Sequence, residues 1–106
     1  MSDWVTVAAV SEISPGHYEV YDLEDARVIV FNDGGEFYAL EDLCTHDMSE
    51  LSGGEFSDEG IVCPRHGAMF CIKTGEALTP PAYEPTNVFD VQVVDNVVQV
   101  RGPRES

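Results

Sequence analysis

Residues 44–66 read Cys44-Thr45-His46-Asp47-Met48-Ser49-Glu50-Leu51-Ser52-Gly53-Gly54-Glu55-Phe56-Ser57-Asp58-Glu59-Gly60-Ile61-Val62-Cys63-Pro64-Arg65-His66. The stretch opens on C-x-H and closes on C-x-x-H, with sixteen residues between the two motifs. Each end therefore supplies one thiolate and one imidazole. Taken singly, a Cys is commonly a small core hydrophobe and a His a surface residue. Four soft-metal ligands of this type, order and spacing instead describe two loops that converge on a metal centre.

Around this stretch the chain reads as short strands. Helical periodicity is scarce, while β-branched and aromatic runs recur between turn signals. Strands are predicted at Trp4–Val7, at Tyr18–Tyr21 after the turn Ser14-Pro15-Gly16, and at Arg27–Phe31. Asn32-Asp33-Gly34-Gly35 turns the chain into a partner strand at Phe37–Leu40. Val88–Val94 and Val97–Val100 flank Asp95-Asn96, a pair suited to a tight hairpin. Within the motif region, Ile61-Val62 leads into the second Cys-His pair and Met69–Ile72 leaves it before the turn Lys73-Thr74-Gly75-Glu76. The expectation is an all-β protein, an antiparallel sandwich or barrel base with an inserted metal-binding unit from about Asp42 to Pro85. With no repeat, low-complexity tract or linker, residues 1–106 read as one domain.

Five basic against twenty acidic residues give a formal net charge of −15. This argues against nucleic acid or an anionic membrane as partner and favours a basic protein surface. The opening Met1-Ser2-Asp3-Trp4 shows no basic region followed by an apolar stretch, and no later run approaches the ~20 apolar residues of a membrane span. A soluble, cytoplasmic protein is expected. With Cys44 and Cys63 as ligands, Cys71 has no partner for an internal disulfide, which fits a reducing compartment.

The ligand order separates two metals. Structural zinc sites typically open with a Cys pair roughly two to four residues apart and close with a His pair roughly three to five apart. Here each loop gives one Cys and one His, the arrangement of a Rieske [2Fe–2S] centre. In that centre two Cys hold one iron and two His replace thiolates on the other, raising the potential over an all-Cys cluster. Cys44 and Cys63 are thus assigned to the inner iron, and His46 and His66 to the outer iron, where electrons enter and leave. A catalytic non-haem iron would need two further His and a carboxylate, and only His17 remains. No catalytic residue is expected.

Across nearly its whole length the chain resembles the Rieske ferredoxins of bacterial ring-hydroxylating oxygenase systems. The resemblance is carried by Cys44-Thr45-His46, Cys63-Pro64-x-His66-Gly67, Phe70-x-x-x-Thr74-Gly75, and Pro80-Pro81 followed by a hairpin. It implies the Rieske fold and a shuttle that takes electrons from a flavin-dependent, NAD(P)H-linked reductase to a terminal oxygenase acting in aromatic catabolism. It also implies that Thr79–Pro85 is a third loop covering the cluster, where composition alone reads Pro80-Pro81 as a rigid connector. High-potential relatives in respiratory complexes add a disulfide and Ser and Tyr donors to the cluster sulfurs. Here Met48 or Ser49, Arg65, Ala68 and Phe70 stand in the matching places, which implies a lower potential. Two other readings stand beside this one: a small subunit of an assimilatory nitrite reductase, and a zinc-stabilised interaction module.

Other residues carry less. Gly67 is either an ordinary turn glycine or one that lets an N–H point at a bridging sulfide. Cys71, between Phe70 and Ile72, is expected as a buried, inert thiol, and His17 as a surface histidine. Seven acids between Glu41 and Glu59, with no Lys or Arg among them, form either a solvated surface or a docking rim. Arg65 at the tip of the second pair either meets a partner or offsets local charge.

Overall fold

The computed structural model describes residues 4–24, 26–45, 49–57, 60–65 and 67–103. Among these residues nine strands run in chain order: β1 Val5–Ala9, β2 His17–Asp22, β3 Arg27–Asp33, β4 Glu36–Glu41, β5 Phe56–Ser57, β6 Gly60–Val62, β7 Met69–Phe70, β8 Val88–Val94 and β9 Val97–Arg101. A single 3-10 turn, Val10–Glu12, is the one helical element among the described residues. Six strands form a large antiparallel sheet in the order β1-β9-β8-β4-β3-β2, and β5-β6-β7 form a small one. The all-β expectation holds: β8 has the expected bounds, β7 stops two residues short of the expected Met69–Ile72 run, and the other anticipated strands are one or two residues longer than expected. Strand β5 was not anticipated, because two residues are too few for a periodic signal.

The turns follow from local chemistry. Asp95 and Asn96 adopt φ of 52° and 65°, the doubly left-handed pair that a two-residue hairpin needs, so Val94 faces Val97 directly. Gly34 and Gly35 play the same part between Asp33 and Glu36. Buried Asn32 fixes that corner, donating from Nδ2 to the Ile13 carbonyl (2.7 Å) while its Oδ1 accepts the Gly35 N–H (2.8 Å).

The sheet curls on itself, so that Ala8 of β1, Phe89 of β8 and Val98 and Val100 of β9 pack against Val28, Val30 and Ala39. The alternate residues Ile29, Phe31 and Leu40 point to the opposite face, into a second core shared with Leu51, Ile61, Phe70 and Ile72. Strand β3 is therefore covered on both faces, which is why Val28-Ile29-Val30-Phe31 is a continuous apolar run instead of an alternating one. The small sheet and its loops, all carried between β4 and β8, sit on this second core. Tyr18, Phe31 and Phe56 join the two layers, with ring centroids 5.1 Å apart for Phe31–Phe56 and 5.6 Å for Tyr18–Phe31. No helix among the described residues is long and apolar enough to cross a membrane.

Candidate metal centre

The first candidate ligand loop, which carries Cys44, starts where β4 ends. Asp42 donates its N–H to the Arg27 carbonyl at 2.7 Å, and its side chain is fully buried. Burying a carboxylate is costly unless it is hydrogen-bonded, and three donors meet it here. Leu51 N and Ser52 N both donate to Oδ1 at 2.7 Å, and Ser52 Oγ donates to Oδ2 at 2.8 Å. Arg27 Nε lies 3.5 Å from Oδ2, and its Nη1 donates to Glu50 at 2.8 Å. The chain from Leu43 to Glu50 is thereby gripped at both ends, and inside it Cys44 N–H donates to the Ser49 carbonyl at 2.7 Å.

The second loop is built alike. Cys63 follows β6 directly and donates its N–H to the Ala68 carbonyl at 2.7 Å. In both loops the cysteine amide thus reaches the carbonyl five residues on, so two unrelated segments present a thiol on the same turn. Gly67 takes φ +76° and donates to the Cys63 carbonyl at 3.0 Å, which accounts for the glycine by turn geometry. The alternative, an amide aimed at a bridging sulfide, is set aside because that N–H is already engaged.

A third segment closes over both. Thr45 Oγ1 donates to the Glu84 carbonyl at 2.6 Å, and Met69 N–H donates to Thr79 Oγ1 at 2.9 Å. Ala82, between them, is buried in the same core as Cys44, Cys63 and Ala68. The two cysteines are 0% and 1% exposed, and no disulfide involves them. Two thiols from separate loops in one dry core, unlinked by oxidation, suit soft metal ions held as thiolates.

Pro64, Arg65 and Gly67 are exposed, as is Tyr83 beside buried Ala82. His46 and His66 lie outside the described residues, as do Asp47, Met48, Asp58 and Glu59. His17 is an exposed histidine on β2, hydrogen-bonded through Nδ1 to the Pro15 carbonyl at 3.2 Å, as expected.

Two expectations need correction. The acids from Glu41 onward are not one surface: Asp42 is interior, Glu41 accepts from Asn87 Nδ2 at 2.8 Å, and Glu50 pairs with Arg27. The window holds no basic residue of its own, yet β3 brings one in from outside it. Cys71 is only partly buried, because the chain turns directly after β7. Burial pushes its thiol pKa up, but hydrogen bonds from the Thr74 hydroxyl and the Lys73 and Thr74 amides outweigh this and lower it. Sequence reasoning also missed Tyr18 and Ser52 as loop anchors. For Asp42 a weak signal existed, an acid two residues before Cys44, whereas for Tyr18 there was none.

The family described as Rieske [2Fe-2S] domain matches residues 3–94. The chain belongs to the Rieske family. It is 37% identical over 103 residues to ferredoxin CarAc of Metapseudomonas resinovorans, covering 96% of each chain. It is 46% identical over 86 residues to the 3-phenylpropionate/cinnamic acid dioxygenase ferredoxin subunit of Shigella flexneri, covering 79% of each. Among solved structures it is similar to a chain in a complex of reduced oxygenase and oxidized ferredoxin in carbazole 1,9a-dioxygenase. There the TM-score is 0.91 and the identity 36%, covering 97% of this chain and 96% of that one. The Rieske fold, the resident [2Fe–2S] cluster and an electron-carrying role, not a catalytic one, follow for this chain. The zinc reading is thereby replaced.

Proposed function

We propose that this chain is the ferredoxin of a ring-hydroxylating oxygenase system, with Cys44 and Cys63 holding one iron of its cluster and His46 and His66 the other. The observation that carries this reading is the burial of Cys44 and Cys63 in one core, each on a loop closed by the same Cys N–H to carbonyl bond. Held by these four residues, a [2Fe–2S] cluster would supply one-electron transfer. The protein supplies two thiolates from a water-excluding core, and Ala82 with the Thr45–Glu84 bond covers them on the third side. Pro64, Arg65 and Gly67 leave the His66 loop accessible, so partners approach at that end.

The donor is a flavin-dependent reductase and the acceptor a terminal oxygenase, in the cytoplasm. The oxygenase–ferredoxin complex of carbazole 1,9a-dioxygenase supports the second partner, and the net charge of −15 suits a basic docking surface on either. The relatives give no support to a nitrite reductase subunit. Residues 1–106 act as one domain, in which about 42–85 form the cluster-binding unit. The small sheet and all three loops fall within that segment.

Anaerobically purified protein is expected to contain two irons and two acid-labile sulfides per chain and, once reduced, to show the low average g value of a His-ligated cluster. His46→Ala and His66→Ala each abolish that signal. One zinc and no sulfide in the native protein would overturn the assignment.

A further inference from the structure

We propose that Asp42 and Tyr18 are positioning residues for the cluster, holding the first ligand loop against the large sheet and thereby keeping the midpoint potential low. The proposal rests on the assignment of Cys44 and His46 as ligands. Residues 51–54, just past that loop, present five polar groups to only two side chains of the large sheet's end and edge. Asp42 takes Leu51 N, Ser52 N and Ser52 Oγ at 2.7–2.8 Å. The Tyr18 hydroxyl, from β2, accepts the Gly53 N–H at 2.9 Å and donates to the Gly54 carbonyl at 2.8 Å.

The two anchors act on a closed ring. Asp42 precedes the ligand loop and its carboxylate grips the residues that follow the loop, while Cys44 N–H and the Ser49 carbonyl close a smaller ring inside. Movement of residues 51–54 is therefore movement of the loop. A carboxylate this buried is an expensive anchor, and an apolar side chain of similar volume often serves packing as well. What the carboxylate adds is a fixed negative charge beside the cluster loop, only partly offset by half-exposed Arg27.

Both contributions have the same sign for redox. Reduction adds negative charge, so a nearby carboxylate disfavours it, and so does exclusion of water by a tightly held loop. Asp42→Asn removes the charge, leaves Arg27 paired with Glu50 and Asp22 alone, and weakens the grip. Tyr18→Phe loosens residues 53 and 54 without a change in charge. Asp42→Asn is then expected to raise the potential, and Tyr18→Phe to raise it less.

The test is a redox titration of the full, cluster-loaded chain, followed by EPR and visible circular dichroism, with iron and sulfide counted for each variant. In Asp42→Asn the ratio of reduced to oxidised protein at a fixed ambient potential is expected to rise by roughly threefold or more, with altered g values and faster loss of iron. Tyr18→Phe gives a smaller shift of the same sign. Val98→Ala, in the other core, lowers thermal stability but leaves potential and g values unchanged, which separates positioning from mere stability. Asp42→Asn with full iron content and an unchanged or lower potential would overturn the proposal. If Asp42→Asn assembles no cluster, an unchanged potential in Tyr18→Phe overturns it. A wild-type protein without sulfide or the His-ligated signal fells the ligand assignment and this proposal together, whereas a normal wild-type signal with silent variants fells this proposal alone.

Discussion

Substituting Gly54→Ala probes how the backbone enters the second ligand loop. A Cβ at residue 54 overlaps the Val62 carbonyl oxygen and comes within 3.0 Å of the Val62 carbon and 3.1 Å of the Leu51 oxygen. All of these are backbone atoms, so no rotamer change relieves the overlap. Restoring ordinary contact requires residue 54 or β6 to move by roughly 1 Å or more. Residue 54 is tied by the Tyr18 hydroxyl, which donates to its carbonyl at 2.8 Å, and by its own N–H to the Leu51 carbonyl, so β6 is expected to give way. Val62 directly precedes Cys63, and the displacement passes to that proposed ligand. The expected cost is about 3 kcal/mol, the upper part of the range for overpacking, which lowers the unfolding midpoint by about 12–20 °C in a domain of this size. Gly53→Ala is the matched comparison: its Cβ meets nothing within 4 Å, but φ is +92°, so it costs about 1–2 kcal/mol of backbone strain and leaves β6 in place. Iron and sulfide content, the reduced EPR spectrum and thermal unfolding are to be measured on both. Gly54→Ala is expected to lose cluster as well as stability, and Gly53→Ala stability alone. A fully loaded Gly54→Ala with native g values and a midpoint no lower than that of Gly53→Ala would refute the reasoning.

Three further outcomes are expected. The native midpoint potential lies in the lower part of the Rieske range of about −150 to +300 mV, and Ala68→Ser and Phe70→Tyr, both in the core shared with Cys44 and Cys63, raise it by adding hydroxyl donors; a redox titration checks both signs. Cys71→Ser keeps the cluster. Because the folded thiol pKa is lowered, wild-type stability rises with pH between that value and the ordinary thiol value, and urea unfolding across this window should show the rise vanish in the variant. Stopped-flow oxidation by the terminal oxygenase slows as the Debye length falls from about 10 Å at 0.1 M salt to about 3 Å at 1 M. Glu50→Gln changes that rate only slightly, since Glu50 pairs with Arg27. A rate indifferent to salt would mean that docking rests on apolar contacts such as those offered by exposed Tyr83 and Leu78.

What the sequence determined by itself was local chemistry and order. The four candidate ligands and their spacing need no third dimension to be seen, and the turns at Gly34-Gly35 and Asp95-Asn96 are set by residues that tolerate positive φ. The apolar run Val28–Phe31 announced a strand, though not that both its faces are covered. That depends on the sheet curling over one face while the small sheet sits on the other. The roles of the acids were equally hidden. In the sequence Asp42 is one carboxylate among seven, and only the arrival of Leu51 N, Ser52 and Arg27 around it makes it an interior anchor. Tyr18 meets Gly54 across 36 residues of chain. Composition and periodicity report what a residue prefers within a few positions of itself, whereas a hydrogen-bond partner is chosen by which distant segments packing brings together. The candidate ligands could therefore be proposed from the chain alone, and the side chains that hold the Cys44 loop in place were decided by the tertiary fold.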